Sequence, residues 1–219
     1  MSRNTINIGA AFLLLSLSTL RWGAPQTSPK KLDTPKTANE NSAIPYFIAD
    51  GSGKPGYYPQ DRELARWALG AWQRSAPDGF QFVAAKESSA LIGVYWAGPE
   101  SGEYGETQPI LVDGREGAAV FIRPDLDALG ESIARRARAD PLLRDSIVYL
   151  TCVHELGHAL GLAHTRDFRD IMYYFGYGGD VVEYFGRYRA QIHSRNDIAR
   201  VSGLSDADVK RIRALYPVE

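Results

Sequence analysis

Cysteine is almost missing from this 219-residue chain: Cys152 stands alone, so no intrachain disulfide can form. Stability must therefore come from packing, and from a metal if one is bound. An excess of one charge is also missing. Lys and Arg number 25 against 26 Asp and Glu, so composition offers no basic surface for nucleic acid. Long apolar runs are scarce too. The clearest, Ile8 to Leu20 after Arg3, is too short to span a bilayer comfortably and reads as a secretory signal, with an uncleaved anchor as the rival. Residues 1–24 are expected to be that signal, cut after Ala24 or earlier after Ser18. Residues 25–42, rich in Pro, Thr, Ser and Lys, read as a flexible linker, and residues 43–219 as one domain. The expected product is a monomer, secreted or periplasmic/extracellular, with no stable membrane insertion after processing.

Histidine is scarce as well, and its distribution is informative. Three of the four histidines fall in the run His154-Glu155-Leu156-Gly157-His158-Ala159-Leu160-Gly161-Leu162-Ala163-His164. On a helix, His154 and His158 lie about 40° apart around the axis and roughly 6 Å apart along it, so both rings can reach one ion. A straight helix would carry His164 out of reach. Gly161 is where the chain can leave the helix, since glycine tolerates positive φ and ends helices at low steric cost. Three neutral nitrogens leave a fourth position open, as expected of a catalytic zinc. Glu155, beside the ligands and not among them, is the candidate general base and acid. A lone histidine reads more simply as a hydrogen-bonded core residue, but the full run matches the extended zincin pattern.

The pattern resembles the metzincin clan of zinc endopeptidases. That clan places a methionine turn after the third histidine, and Met172, the one methionine besides the initiator, stands there. By resemblance Met172 forms an apolar floor under the imidazoles without ligating the ion; as a plain core methionine it would fill an irregular gap. Within the clan the chain is most similar to matrixins. The spacing from His164 to Met172, the residues Thr165 and Asp167, and the closing run Leu204 to Tyr216 carry that likeness. Met172-Tyr173-Tyr174 departs from it, because matrixins have a proline where Tyr174 stands and astacins and serralysins have a tyrosine. Two readings of Tyr174 stay open: a hydroxyl that helps stabilise the oxyanion, or a packed aromatic. By resemblance the segment after Met172 borders the pocket for the residue following the cleaved bond. Latency in matrixin precursors rests on a propeptide cysteine; with only Cys152, read as a small buried hydrophobe, the site is expected to lack that thiol lock.

The order of elements suggests an α/β domain before any family is invoked. Ile44 to Ala49 reads as a strand, with Pro45 at a first or edge position. Leu64, Trp67, Ala68, Ala71 and Trp72 stripe a helix over Asp61 to Arg74. Strands are expected at Phe80 to Ala84, Ala90 to Trp96, Ile110 to Asp113 and Ala118 to Ile122. The stretch Gly98 to Glu106 reads as a loop and Gly114 to Gly117 as a hairpin or rim loop, either flanking strand serving as the sheet's edge. Pro124 to Asp140 holds a short surface helix, and from Pro141 a helix apolar on most faces carries the ligands inward. Another short helix is expected between about 180 and 193, with His193 on the surface. Ser205 caps the last one, with Asp208 three residues on. The resemblance sharpens this to a zincin-like α+β/α/β fold: a twisted, mostly parallel sheet with an antiparallel edge strand, an active-site helix and a C-terminal helix.

The expected function is a secreted zinc-dependent endopeptidase acting on a peptide or protein substrate, with one Zn2+ on His154, His158 and His164. Ca2+ is a further possibility, for which loops such as 98–106 supply acids but no diagnostic spacing. The rival is a non-catalytic secreted binding module with a structural zinc. The retention of Glu155 weighs against it.

Overall fold

The strands β1 (Ser42–Ile48), β2 (Phe80–Ala84), β3 (Ile92–Trp96), β4 (Gly105–Val112) and β5 (Arg115–Ile122) build a five-stranded sheet in the order β2-β1-β3-β5-β4, with side chains alternating between its faces. The computed structural model describes residues 42–78, 80–101 and 103–217. The expected signal at 1–24 and the linker at 25–42, apart from Ser42, lie outside the described residues. Ser42 already belongs to β1, one residue ahead of the expected domain start.

β1 runs parallel to β2 and β3, β3 runs parallel to β5, and β4 alone is antiparallel. The expected mostly parallel sheet with an antiparallel edge is therefore the observed one. Two local expectations need correction. β1 is an interior strand, yet it accommodates Pro45: the Pro45 carbonyl accepts from Leu91 N–H at 2.8 Å, on the side where β3 has not begun, so the missing N–H faces no ladder partner. The hairpin loop is also tighter than a Gly114–Gly117 rim. Asp113 (φ 51°) and Gly114 (φ 76°) make the whole turn, both in the left-handed region that a type I′ hairpin requires. Arg115 to Gly117 are consequently paired in β5, while Gly105 and Glu106, expected in a loop, open β4.

Two helices make the main packing on the sheet, one on β1 and β2 and the other on β4 and β5. On α1 (Asp61–Ser75), Leu64, Ala65, Ala68, Leu69, Ala71 and Trp72 are buried, and Trp72 Nε1–H donates to the Val153 carbonyl at 2.8 Å. That bond ties α1 to α3 (Pro141–Ala159). Asp140 caps α3 by accepting from the N–H groups of Leu142 and Leu143, and Pro141 at the first position has no N–H to lose. Every residue from Leu143 to Ala159 is buried, as the all-round apolar pattern implied. α3 packs on β4 and β5 and also touches α1, α2 (Glu131–Ala139) and α4 (Val181–Arg189). Truncating a fully buried residue such as Leu156 to Ala would cost about 2–5 kcal/mol.

α4 stops at Arg189, short of the expected 193, but Ile192 stays buried and His193 is exposed. α5 (Asp206–Leu215) starts with a complete reciprocal capping box between Ser205 and Asp208. Cys152 is fully buried, and burial pushes its thiol up, away from reactivity. Among the described residues no helix is long and apolar enough to cross a membrane.

Candidate metal centre and active site

Helix α3 ends in a way that turns the chain back on itself. Leu160 is the C-cap and Gly161 follows with φ 94°; Leu162 N–H donates to the Gly157 carbonyl and Gly161 N–H to the His158 carbonyl, each at 2.9 Å. These two bonds are the Schellman pattern, which needs a glycine at this position. The expected role of Gly161 is thus met by the backbone, and His164 returns to the helix it left.

The ligand atoms of His154, His158 and His164 all lie within 4.8 Å of one another, and among the described residues this is the group of three or more His, Cys, Asp or Glu that can hold an ion. His154 Nδ1 lies 2.6 Å from the Ile171 carbonyl and His158 Nδ1 lies 2.8 Å from the Leu162 carbonyl. A carbonyl only accepts, so each Nδ1 carries the proton and each Nε2 presents a lone pair. His158 Nε2 and His164 Nε2 are 3.0 Å apart, close to the separation that two nitrogens about 2.0–2.1 Å from one tetrahedral zinc would have. Burial pushes His158 and His164 down to about 4, with the His164 charge adding to the effect on His158. Burial, and then its two histidine neighbours, hold His154 well below the ordinary imidazole range. All three are neutral at neutral pH, which is the form that binds metal. The donor set fits zinc.

Met172 is fully buried and approaches α3 at Gly157, one residue before His158. A Cβ at residue 157 would sit 2.4 Å from Met172 Sδ and 3.0 Å from the Trp72 ring, so Gly157 is what lets the methionine approach the helix. The loop carrying it is closed by Thr165 N–H to the Met172 carbonyl (2.8 Å) and Tyr174 N–H to the Thr165 carbonyl (3.3 Å).

Four contributors were not evident in the sequence. Asp208, read there only as a helix-start acid, also accepts from Ile171 N–H at 2.8 Å. The Ile171 carbonyl in turn accepts from His154 and, at 3.2 Å, from the Tyr184 hydroxyl. Thr107 on β4 donates toward Glu155 Oε2 at 2.7 Å. Gly105, two residues earlier, leaves room for the same carboxyl. No local signal marks them, because each partner is far away in sequence.

Glu155 is 2% exposed. Burial pushes its carboxyl up to about 8 against the opposing Thr107 hydrogen bond. A divalent cation among the imidazoles would draw it back down. Tyr174 is half-buried, with its ring stacked on His164 at 4.8 Å and 29°.

A family model described as matrixin, a group of peptidases, matches residues 40–183. Matrix metalloproteinase-16 of Homo sapiens and of Mus musculus are each 32% identical to this chain over 61% of its length. The match takes in 23% of each relative, so the chain spans under a quarter of the curated proteins it resembles. Among solved structures, a chain of the GM1-bound ECX AB5 holotoxin overlaps 79% of this chain and 79% of its own, with a TM-score of 0.49 and 16% identity. At that level the structural likeness carries no weight.

Proposed function

The chain belongs to the matrixin family of zinc metallopeptidases, and from that premise we propose that it is an endopeptidase that hydrolyses peptide bonds of a protein or peptide substrate. The observation that carries the reading is the meeting of three neutral imidazoles whose ligand atoms lie within 4.8 Å of one another, with a buried carboxyl on Glu155, the residue next to His154. His154, His158 and His164 are the proposed ligands. Zinc bound there would act as a Lewis acid, lowering the pKa of its water and polarising the scissile carbonyl.

Glu155 takes a proton from the attacking water and hands it to the departing amine nitrogen. Nδ1 of His154 and of His158 stays bonded to its carbonyl throughout, so the rings do not turn. The carboxylate and ligands ride on a fully buried helix, and little reorganisation accompanies charge development. β4, at the outer edge of the sheet, offers backbone groups to which an extended substrate can add as a further strand.

Tyr174 supports two roles. Its stack on His164 favours a ring that steadies the loop ligand; its place beside the metal cluster leaves the hydroxyl available to the oxyanion, and Tyr174→Phe separates the two. We place the protein outside the cytoplasm, as a monomer after signal removal. The binding-module rival has less support, since a structural zinc has no use for an oriented base.

Digestion of an unfolded protein by the purified chain tests this reading. Chelator should abolish cleavage. Glu155→Ala should lose on the order of 10²–10⁴-fold in turnover while one zinc per chain remains bound. A zinc-loaded wild type that cleaves nothing in a broad peptide library overturns the proposal.

A further inference from the structure

Glu155 is held from the edge strand and not from its own helix. Thr107 Oγ1 lies 2.7 Å from Oε2 of Glu155 and 2.9 Å from its main-chain oxygen. On the other side, a Cβ at Gly105 would lie 2.6 Å from Oε1 and 2.8 Å from Cγ. We propose that Thr107 and Gly105 are positioning residues for Glu155: the hydroxyl holds Oε2, the absent side chain admits Oε1, and Oε1 is the atom that exchanges the proton. The proposal rests on the general-base reading of Glu155.

A hydroxyl has one proton to give and lone pairs to receive. While Glu155 is ionised, the Thr107 proton points to Oε2 in a charge-assisted bond. In the reaction an O–H bond of the attacking water breaks and its proton goes to Oε1 as the new C–O bond forms. The C–N bond then breaks, and the same proton passes from Oε1 to the nitrogen, restoring the carboxylate. Between these steps Oε2 is an uncharged acceptor, and the Thr107 proton can stay there or turn to the main-chain oxygen by rotation about a single bond. No heavy atom has to move. The carboxyl keeps one orientation in both protonation states, and the strand that holds it is the one along which substrate is proposed to lie.

The test compares zinc-loaded Thr107→Val, Thr107→Ser and Gly105→Ala with wild type by kcat, KM, bound zinc, melting temperature and crystal structure. Thr107→Val, isosteric and suited to a strand, should lower kcat at least about tenfold, the loss of one hydrogen bond to a charged group. KM and zinc content should stay within about twofold of wild type by the same reasoning, and the Glu155 carboxylate should be rotated in its crystal structure. Gly105→Ala should displace the same carboxylate. Thr107→Ser should restore turnover. In a Glu155→Gln background, Thr107→Val should have no further effect.

The proposal is overturned if Thr107→Val turns over like wild type, or if Ser fails to rescue. A rise in KM at unchanged kcat overturns it as well and assigns Thr107 to substrate pairing, as does an unmoved carboxylate. Wild-type turnover by Glu155→Gln itself would sink the general-base reading instead, which the single variant reports separately.

Discussion

The two halves of the histidine cluster are held by different means. His154, His158 and Glu155 ride on α3, where every neighbour is buried and each ring is pinned through Nδ1 to a carbonyl. His164 rides on the returning loop, half-buried, steadied by the Tyr174 stack and by the bonds that close Thr165 against Met172 and Tyr174. The helical half is preorganised by the core. The loop half depends on long-range props and on the ion proposed to bind there, so its local stability should be the lower of the two.

Metal removal should expose that difference most strongly. At zinc a thousandfold above its dissociation constant, chelation removes about 4 kcal/mol of stability. Amides at 161–174 should then lose hydrogen-exchange protection well before those of α3; equal loss in both would erase the distinction. Acid should reinforce the effect in the metal-free chain. His158 and His164 sit at about 4 in the folded state against an ordinary 6.5, so the unfolded chain binds more protons between those values. Their contribution is present above pH 6.5 and is lost as pH falls toward 4, which a pH series of denaturant melts would reveal.

Gly157→Ala strikes the contact between the halves. Its Cβ meets Met172 Sδ at 2.4 Å, and overpacking should cost about 1–3 kcal/mol in a thermal melt. Asp208→Ala leaves the Ile171 N–H unpaired, for a loss of similar or smaller size, about 1–3 kcal/mol. It should also weaken zinc binding by about 10–100-fold by titration, since Ile171 orients His154. Unchanged zinc affinity would mean that α5 does not reach the site. Smallest is Tyr174→Ala, about 0.5–1.5 kcal/mol from the lost stack, with Tyr174→Phe near neutral for stability. A kcat loss in Tyr174→Phe at unchanged stability would instead favour the hydroxyl role.

Most of the helical half was legible in the sequence. Helical periodicity shows which residues of 141–160 share faces and Gly161 marks the exit, whereas the hairpin expected at Gly114–Gly117 turns at Asp113-Gly114, since strand pairing sets where the ladder closes. Sequence leaves the edge open between the two strands flanking the hairpin, and the assembled sheet gives it to β4, because strand order is a property of the whole sheet. The acids of α5 were readable as caps, but the second role of Asp208 was not.

Local sequence determined the spacing of the three histidines and the turn between them, because helix pitch and the positive φ that glycine permits act over a few residues. Only the tertiary structure decided what orients the set. His154 to Ile171, Ile171 to Asp208 and Glu155 to Thr107 join groups 17, 37 and 48 residues apart. Hydrogen bonds at such separations exist once the core has brought the elements together, and no short-range preference specifies them.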